Sequence, residues 1–177
     1  KKLGEFCEEI KRLKINIVRP DINTCFADFY SKDKNFYYAL GAIKNVGFES
    51  ISNIINERNK NGKFTSISNF LERVNPKDIN KLQLEGLAKA GAFDNIISNR
   101  RSFYESIPNI ILKSKNIYEN KLQNQIELFS GETNNYDKEV ISSKPEWNFQ
   151  DKMLKEFETI GFYLSDHPLN QYKEIFN

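Results

Sequence analysis

The sequence predicts a mainly α protein with a small β element near its N-terminus. Three observations carry that reading. From residue 51 onward, apolar residues recur three and four apart, the spacing of a helix with one buried face. Before that, FADFY (26–30) and NFYYAL (35–40) flank the turn-like SKDK, as a small hairpin or two short strands would. Gly47, Gly62, Gly91 and Gly161 stand at the edges of helical stretches, where the chain must turn.

The elements follow in order. Leu3, Phe6, Ile10 and Leu13 have helical spacing over 3–13. INIV (15–18) is a short β-type run stopped by Pro20 and Asp21. After Gly47, Ile51, Ile54, Ile55 and Arg58 trace one face of a helix that Asn61-Gly62 ends. Ile67, Phe70, Leu71 and Val74 form the next stripe, stopped by Asn75-Pro76. Asn80 with Gln83 resembles a capping box ahead of Leu84, Leu87 and Ala88, and Gly91 closes that helix. Asn99 is placed to cap a longer helix carrying Phe103, Ile107, Ile110, Ile111, Ser114 and Tyr118. Pro108 falls inside it, so a kink or break is expected there. Residues 130–146 are polar and hold Gly, Pro, Asn and Ser, the composition of a linker. Asn148 then caps a helix with Phe149, Met153, Leu154 and Phe157, ending at Gly161. Ser165, Asp166 and Pro168 mark one more helix start, with Leu169, Tyr172, Ile175 and Phe176 on its inner face.

Composition narrows the function classes. A chain of 177 residues makes one ordinary domain or two small ones, and 39% hydrophobic residues allow a modest core. A net charge of +2 does not by itself mark a nucleic-acid binder, but the charge is unevenly placed. Residues 39–101 hold ten Lys/Arg and six Asp/Glu; residues 119–160 hold five and nine. The basic middle is the part suited to a polyanion. Cys7 and Cys25 fit neither a zinc spacing nor a disulfide framework and read as reduced core thiols of a cytosolic protein. No apolar run approaches a membrane span, and no signal peptide is visible. The chain begins at Lys1 without a methionine and reads as a piece of something larger.

Four stretches invite a functional reading. The first is GAIKNVG (41–47), a Gly-flanked turn directly before a helix. A helix N-terminus leaves backbone N–H groups unpaired and carries partial positive charge; a Gly turn lets backbone approach an anion closely. Helix, short turn and helix make a helix-hairpin-helix. The amides around Val46, Gly47 and Phe48 would then face a DNA phosphate without reading sequence, with Lys44 reinforcing them. A plain turn between two helices fits the same spacing. Asn45 stands where the motif usually has Gly, and Asn is the residue that best tolerates a left-handed backbone in its place.

The second is LAKAGAFDNIISNRR (87–101). Leu84, Leu87, Ala90 and Gly91 repeat the spacing of Leu40, Ile43, Val46 and Gly47, 44 residues later. It reads either as a second, degenerate hairpin contacting phosphate through Gly91, Ala92, Arg100 and Arg101, or as a solvated basic helix start. The third is LQNQIELFSG (122–131), whose Gln125, Leu128 and Phe129 have the form of a linear docking peptide or of a helix end. The fourth is GFYLSDHPL (161–169). Its His167 is the only histidine and has no nucleophile or metal-ligand company, so it reads as structural. No closely spaced carboxylate pair and no phosphate-cradling Gly-Lys-Ser/Thr loop stands out, so no catalytic and no metal-binding residue is expected.

Taken in order, RPDIN, ALGAIKNVG, FLERV, LAKAGAFDNIISNRR, QIELF and GFYLSDHPLNQY resemble the alpha subunits of bacterial DNA polymerase III, over essentially the whole chain. The resemblance implies a tandem helix-hairpin-helix module at 39–101, preceded at 1–38 by the end of the fingers. It implies a helix and sliding-clamp-binding peptide at 102–130, a linker at 131–147, and helices at 148–177 leading toward an OB-fold domain. It implies DNA contacts from Lys44, Asn45, Val46, Gly47, Phe48, Gly91, Ala92, Arg100 and Arg101, and clamp anchors at Gln125, Leu128 and Phe129. In that family the polymerase uses Mg²⁺ on palm aspartates upstream of this region, so this piece would have no cofactor and no activity alone. Its partners would be duplex DNA, the clamp and other replicase subunits, in the bacterial cytoplasm. Asn45 and Asp166 depart from family glycines. A hairpin module of a repair or recombination enzyme, and a helical interaction domain without a DNA role, are the other readings.

Overall fold

The computed structural model describes residues 2–124 and 140–165. Helix α1 (Lys2–Arg12) leads into strand β1 (Asn16–Val18), followed by β2 (Tyr30–Lys32) and β3 (Asn35–Tyr37). The sheet order is β1-β3-β2, with β1 parallel and β2 antiparallel to β3, in register Ile17 to Phe36 and Ser31 to Phe36. Asp33 takes φ 55° in the tight β2–β3 turn, a conformation Asp tolerates better than most residues. The strands are shorter than the sequence runs. Phe26 and Ala27 instead accept hydrogen bonds from the amides of Leu40 and Gly41 (2.8 and 2.9 Å). The α1 stripe also differs: Cys7 and Ile10 are buried, whereas Phe6 and Leu13 are exposed.

The helical body comprises α2 (Phe48–Asn61), α3 (Ile67–Arg73), α4 (Lys81–Lys89), α5 (Arg100–Asn124) and α6 (Phe149–Ile160), with 3₁₀ turns at Leu40–Ala42 and Pro76–Asp78. The mainly α reading with a small N-terminal β element therefore holds. Caps fall where the sequence placed them. Asn80 accepts from the Gln83 amide, Asn99 from that of Ser102 and Asn148 from that of Asp151. The capping box at Asn80 is only half formed, because the Gln83 side chain donates to the Asp78 carbonyl (2.9 Å). Ile51, Ile54, Ile55 and Arg58 all point inward, and Phe64, Phe70, Phe93 and Phe103 stack in sequence through the core at 4.5–5.2 Å between rings.

Arg58, read only as part of the stripe, is a buried clamp. Its guanidinium donates to the carbonyls of Ile22 (2.9 Å) and Cys25 (2.6 Å), tying the N-terminal unit to α2. Asn23 adds a two-way bond with the backbone of Phe64 (2.8 Å each way). Both cysteines are free and buried, and burial pushes the Cys25 thiol up to about 11.

Three expectations need correction. Of the kink or break expected at Pro108, the break does not occur: α5 is one continuous helix. Pro108 lies on the exposed face, where water can serve the carbonyl it leaves free, and buried Ile107 and Ile110 hold the helix on either side. The inner face of α6 is Met153, Glu156, Thr159 and Ile160; Phe149, Leu154 and Phe157 face out. The rotation serves Glu156, whose buried carboxylate accepts from the amides of Leu164 and Ser165 (2.7 Å each) and so shapes the turn after Gly161. The last part of the expected linker is also not loose: residues 140–147 form a strap on α5. Val140 is in the core, the Ser142 amide donates to the Ser106 hydroxyl and the Lys144 amide to the Ser102 hydroxyl (2.9 Å each). Asp166, His167, the last expected helix and the rest of the linker lie outside the described residues.

Candidate nucleic-acid interface

The first hairpin runs from the 3₁₀ turn to α2. Ile43 and Val46 are buried and anchor it, while Lys44, Asn45 and Gly47 between and after them are exposed. Asn45 has φ 67°, the left-handed conformation for which it suits the position. The turn is held from three sides. The Val46 amide donates to the Ile43 carbonyl (3.1 Å), and the Lys44 amide donates to the Thr159 carbonyl at the end of α6 (3.0 Å). On the third side Gly86 of α4 lies so close that a Cβ there would sit 2.6 Å from the Lys44 carbonyl oxygen. Gly86 thus permits the close approach of helix and turn.

Beyond the turn, α2 begins without a side-chain cap. Gly47 precedes it at φ −73°, and the amides of Phe48, Glu49 and Ser50 have no acceptor among the described residues. Gly47 and Phe48 are exposed there. Of the amides the sequence points to, then, Val46's closes the turn, and those of Gly47 and Phe48 have no acceptor among the described residues. Lys44 forms no ion pair among the described residues. The surroundings are mixed in charge. Glu49 lies in the first turn of α2. Lys89 is held by Glu158 (2.9 Å), whose carboxyl is lowered first by that hydrogen bond and also by the charges of Lys155 and Lys44.

The second hairpin is built differently. Gly91 (φ 79°) and Ala92 end α4 in a Schellman motif: the Ala92 amide donates to the Leu87 carbonyl (2.9 Å) and the Gly91 amide to that of Ala88 (3.0 Å). Both residues are buried. A side chain at Gly91 would collide with the Arg100 guanidinium. Arg100 is itself only 6% exposed and makes a forked contact with Asp94 at 2.7–2.9 Å. The N-terminus of α5 already carries an anion. Glu146 accepts from the amides of Arg100 (2.9 Å) and Arg101 (3.2 Å), and Lys152 closes the cluster at 3.2 Å. Desolvation pushes the Glu146 carboxyl up, but these amides, that of Trp147 and Lys152 outweigh it and hold it below its usual range. Of the four residues singled out here, Arg101 alone turns its side chain to solvent, pairing with Glu105 at 2.7 Å.

The sequence gives no sign that Glu146 belongs to this region, and it points to Gln83 only as half of a capping box. Glu146 lies 45 residues from the amide of Arg101 that it caps, so no local pattern joins them. Gln83 is fully buried beneath the first hairpin, with its Oε1 3.8 Å from where a Cβ on Gly47 would stand. Gln125, Leu128 and Phe129 lie outside the described residues; α5, which leads to them, ends with Tyr118 and Leu122 exposed. Among the described residues no group of three or more His, Cys, Asp or Glu could hold a metal ion, and no helix is long and apolar enough to cross a membrane.

A family model described as a helix-hairpin-helix motif matches residues 14–103. The chain belongs to the helix-hairpin-helix family. The match takes in the small sheet, both hairpins and the start of α5, so the N-terminal strands are part of the family unit. Along nearly its whole length the chain is also similar to proteins named DNA polymerase III subunit alpha. It is 36% identical over 98% of its length to that of Borreliella burgdorferi, 35% over 95% to that of Caulobacter vibrioides, and 30% over 99% to that of Campylobacter jejuni. It spans about 15% of the length of each of these relatives.

Proposed function

We propose that this chain is the part of a replicative DNA polymerase that holds the backbone of duplex DNA, and that it does so chiefly through the first hairpin. One contrast supports this most. The N-terminus of α5 is already filled by Glu146, whereas that of α2 is open, uncapped and flanked by the exposed Lys44. A phosphate oxygen at α2 would accept from the amides of Gly47 and Phe48, with Lys44 supplying charge and Asn45 setting the approach. Val46 holds the turn from below. The second hairpin acts as a brace: Gly91, Ala92 and Arg100 fix the α4–α5 corner, and Arg101 supplies a weaker, exchangeable contact.

In this reading, Gln125, Leu128 and Phe129 dock the polymerase on its sliding clamp, Leu128 and Phe129 filling an apolar pocket and Gln125 fixing register. The exposed Tyr118 and Leu122 near the end of α5, the helix that leads to these residues, support that role. Nucleotide addition with Mg²⁺, and contacts with other replicase subunits, belong to other parts of such a polymerase, which works in the bacterial cytoplasm. Titration of labelled duplex at low and high salt tests the DNA role: weak, salt-sensitive binding is expected, and no binding at low salt contradicts it. For the clamp, replacing Gln125, Leu128 and Phe129 together with Ala abolishes binding to the cognate clamp if buried anchors dominate that interface. Unchanged affinity shows that the peptide is not a dock.

A further inference from the structure

A concavity of about 530 Å³ opens beside the N-terminal sheet, and its wall includes Phe26, Tyr30, Tyr37, Lys32, Thr24 and Asn35. Three of these are aromatic and mutually close: Phe26 lies 4.7 Å from Tyr30 and 5.8 Å from Tyr37, and the two tyrosines are 5.9 Å apart. The set is held from behind, because the buried Arg58 guanidinium lies over the Phe26 ring at 5.5 Å. Tyr30 nevertheless leaves 42% of its surface uncovered. Among the described residues the only charged one in the wall is a cation, the exposed Lys32, and no carboxylate lines the opening.

The exposed Tyr30 ring, an amide, hydroxyls and one cation match the parts of one nucleotide: a flat base, its polar edge and its phosphate. Position favours the same occupant. The Phe26-Ala27 segment is hydrogen-bonded to Leu40 and Gly41, immediately before the first hairpin. The exposed Phe48 ring, at the start of α2, comes within 3.1 Å of where a Cβ on Gly41 would lie. The cleft wall and the start of α2 are thus joined through the Leu40-Gly41 backbone.

We propose that the cleft binds an unpaired nucleotide of single-stranded DNA, with the base stacked on Tyr30 and the phosphate beside Lys32. The cleft shares no residue with the hairpin, so the two readings fail separately. The test uses this chain with fluorescently labelled oligo(dT), an abasic strand of equal length and a blunt duplex. Oligo(dT) is expected to bind more tightly than the abasic strand. Tyr30→Ala should weaken oligo(dT) binding about 5- to 100-fold, the range of one lost base–aromatic stack. Tyr30→Phe should preserve it, and blunt-duplex affinity should not change. Lys32→Gln, at an exposed position, gives an independent variant and should flatten the salt dependence of oligo(dT) binding. Equal affinity for oligo(dT) and the abasic strand, or full oligo(dT) affinity in both Tyr30→Ala and Lys32→Gln, overturns the proposal.

Discussion

Gly86→Ala separates what helix propensity favours from what the hairpin requires. Gly86 is buried inside α4, where Ala is intrinsically better by about 0.8–1.0 kcal/mol. The added Cβ, however, would stand 2.6 Å from the Lys44 carbonyl oxygen, 3.4 Å from Ile43 Cγ2 and 3.6 Å from Val46 Cγ2. The two side-chain contacts are tolerable. The first is with backbone, which cannot rotate away, so the turn has to retreat by roughly half an ångström or more to restore ordinary contact. Overpacking of this kind costs about 1–3 kcal/mol. Set against the propensity gain, the expected net loss is about 1 kcal/mol, and at most about 2. For a chain of this size that lowers Tm by about 2–8 °C. The displaced element is the one that carries Lys44 and Asn45, so duplex binding should weaken in the same variant. Thermal unfolding by circular dichroism and a duplex titration read the two effects. A raised Tm with unchanged duplex affinity would refute the reasoning, because the contact between α4 and the hairpin would then constrain neither stability nor binding.

Other predictions follow from the same geometry. Asn45→Gly should leave stability within about 0.5 kcal/mol, since Gly adopts φ 67° freely, whereas Asn45→Val should cost about 1–2 kcal/mol at a left-handed position; chemical denaturation distinguishes them. Glu146→Gln should destabilise by about 1–2 kcal/mol at neutral pH, because the α5 amides lose a charged acceptor. The folded carboxyl of Glu146 is held below its ordinary value. Its contribution is therefore complete above the unfolded value near 4.3 and disappears as pH falls through the folded one. The variant should accordingly lose part of the acid-side decline in stability, and an unaltered decline would show that Glu146 does not couple to folding.

What the sequence made legible was local. Asn80, Asn99 and Asn148 cap helices because a cap and its amide lie three residues apart. Asn45 could be placed in a left-handed turn from its neighbours alone. Long-range polar partners left no such trace. Glu146 reaching α5, and Arg58 reaching Ile22 and Cys25 more than 30 residues away, are choices made by packing. The same holds for α6: its apolar residues suggested one face, but burying Glu156 for the Leu164 and Ser165 amides turned the helix to another. Pro108 does not end the helix: it stands at an exposed position, and buried Ile107 and Ile110 hold α5 on either side of it. The two hairpins look alike in sequence, with Gly after the same apolar spacing. Only the three-dimensional arrangement separates an open helix end from one already occupied by a carboxylate.

The most direct test of the account is the salt dependence of duplex affinity for the unaltered chain and for Lys44→Ala. If Lys44 and the open end of α2 hold a phosphate, the slope of log K against log salt falls by about one in the variant, and affinity drops uniformly across duplex sequences. An identical slope and affinity in the two proteins would place the DNA contact elsewhere and contradict the central claim.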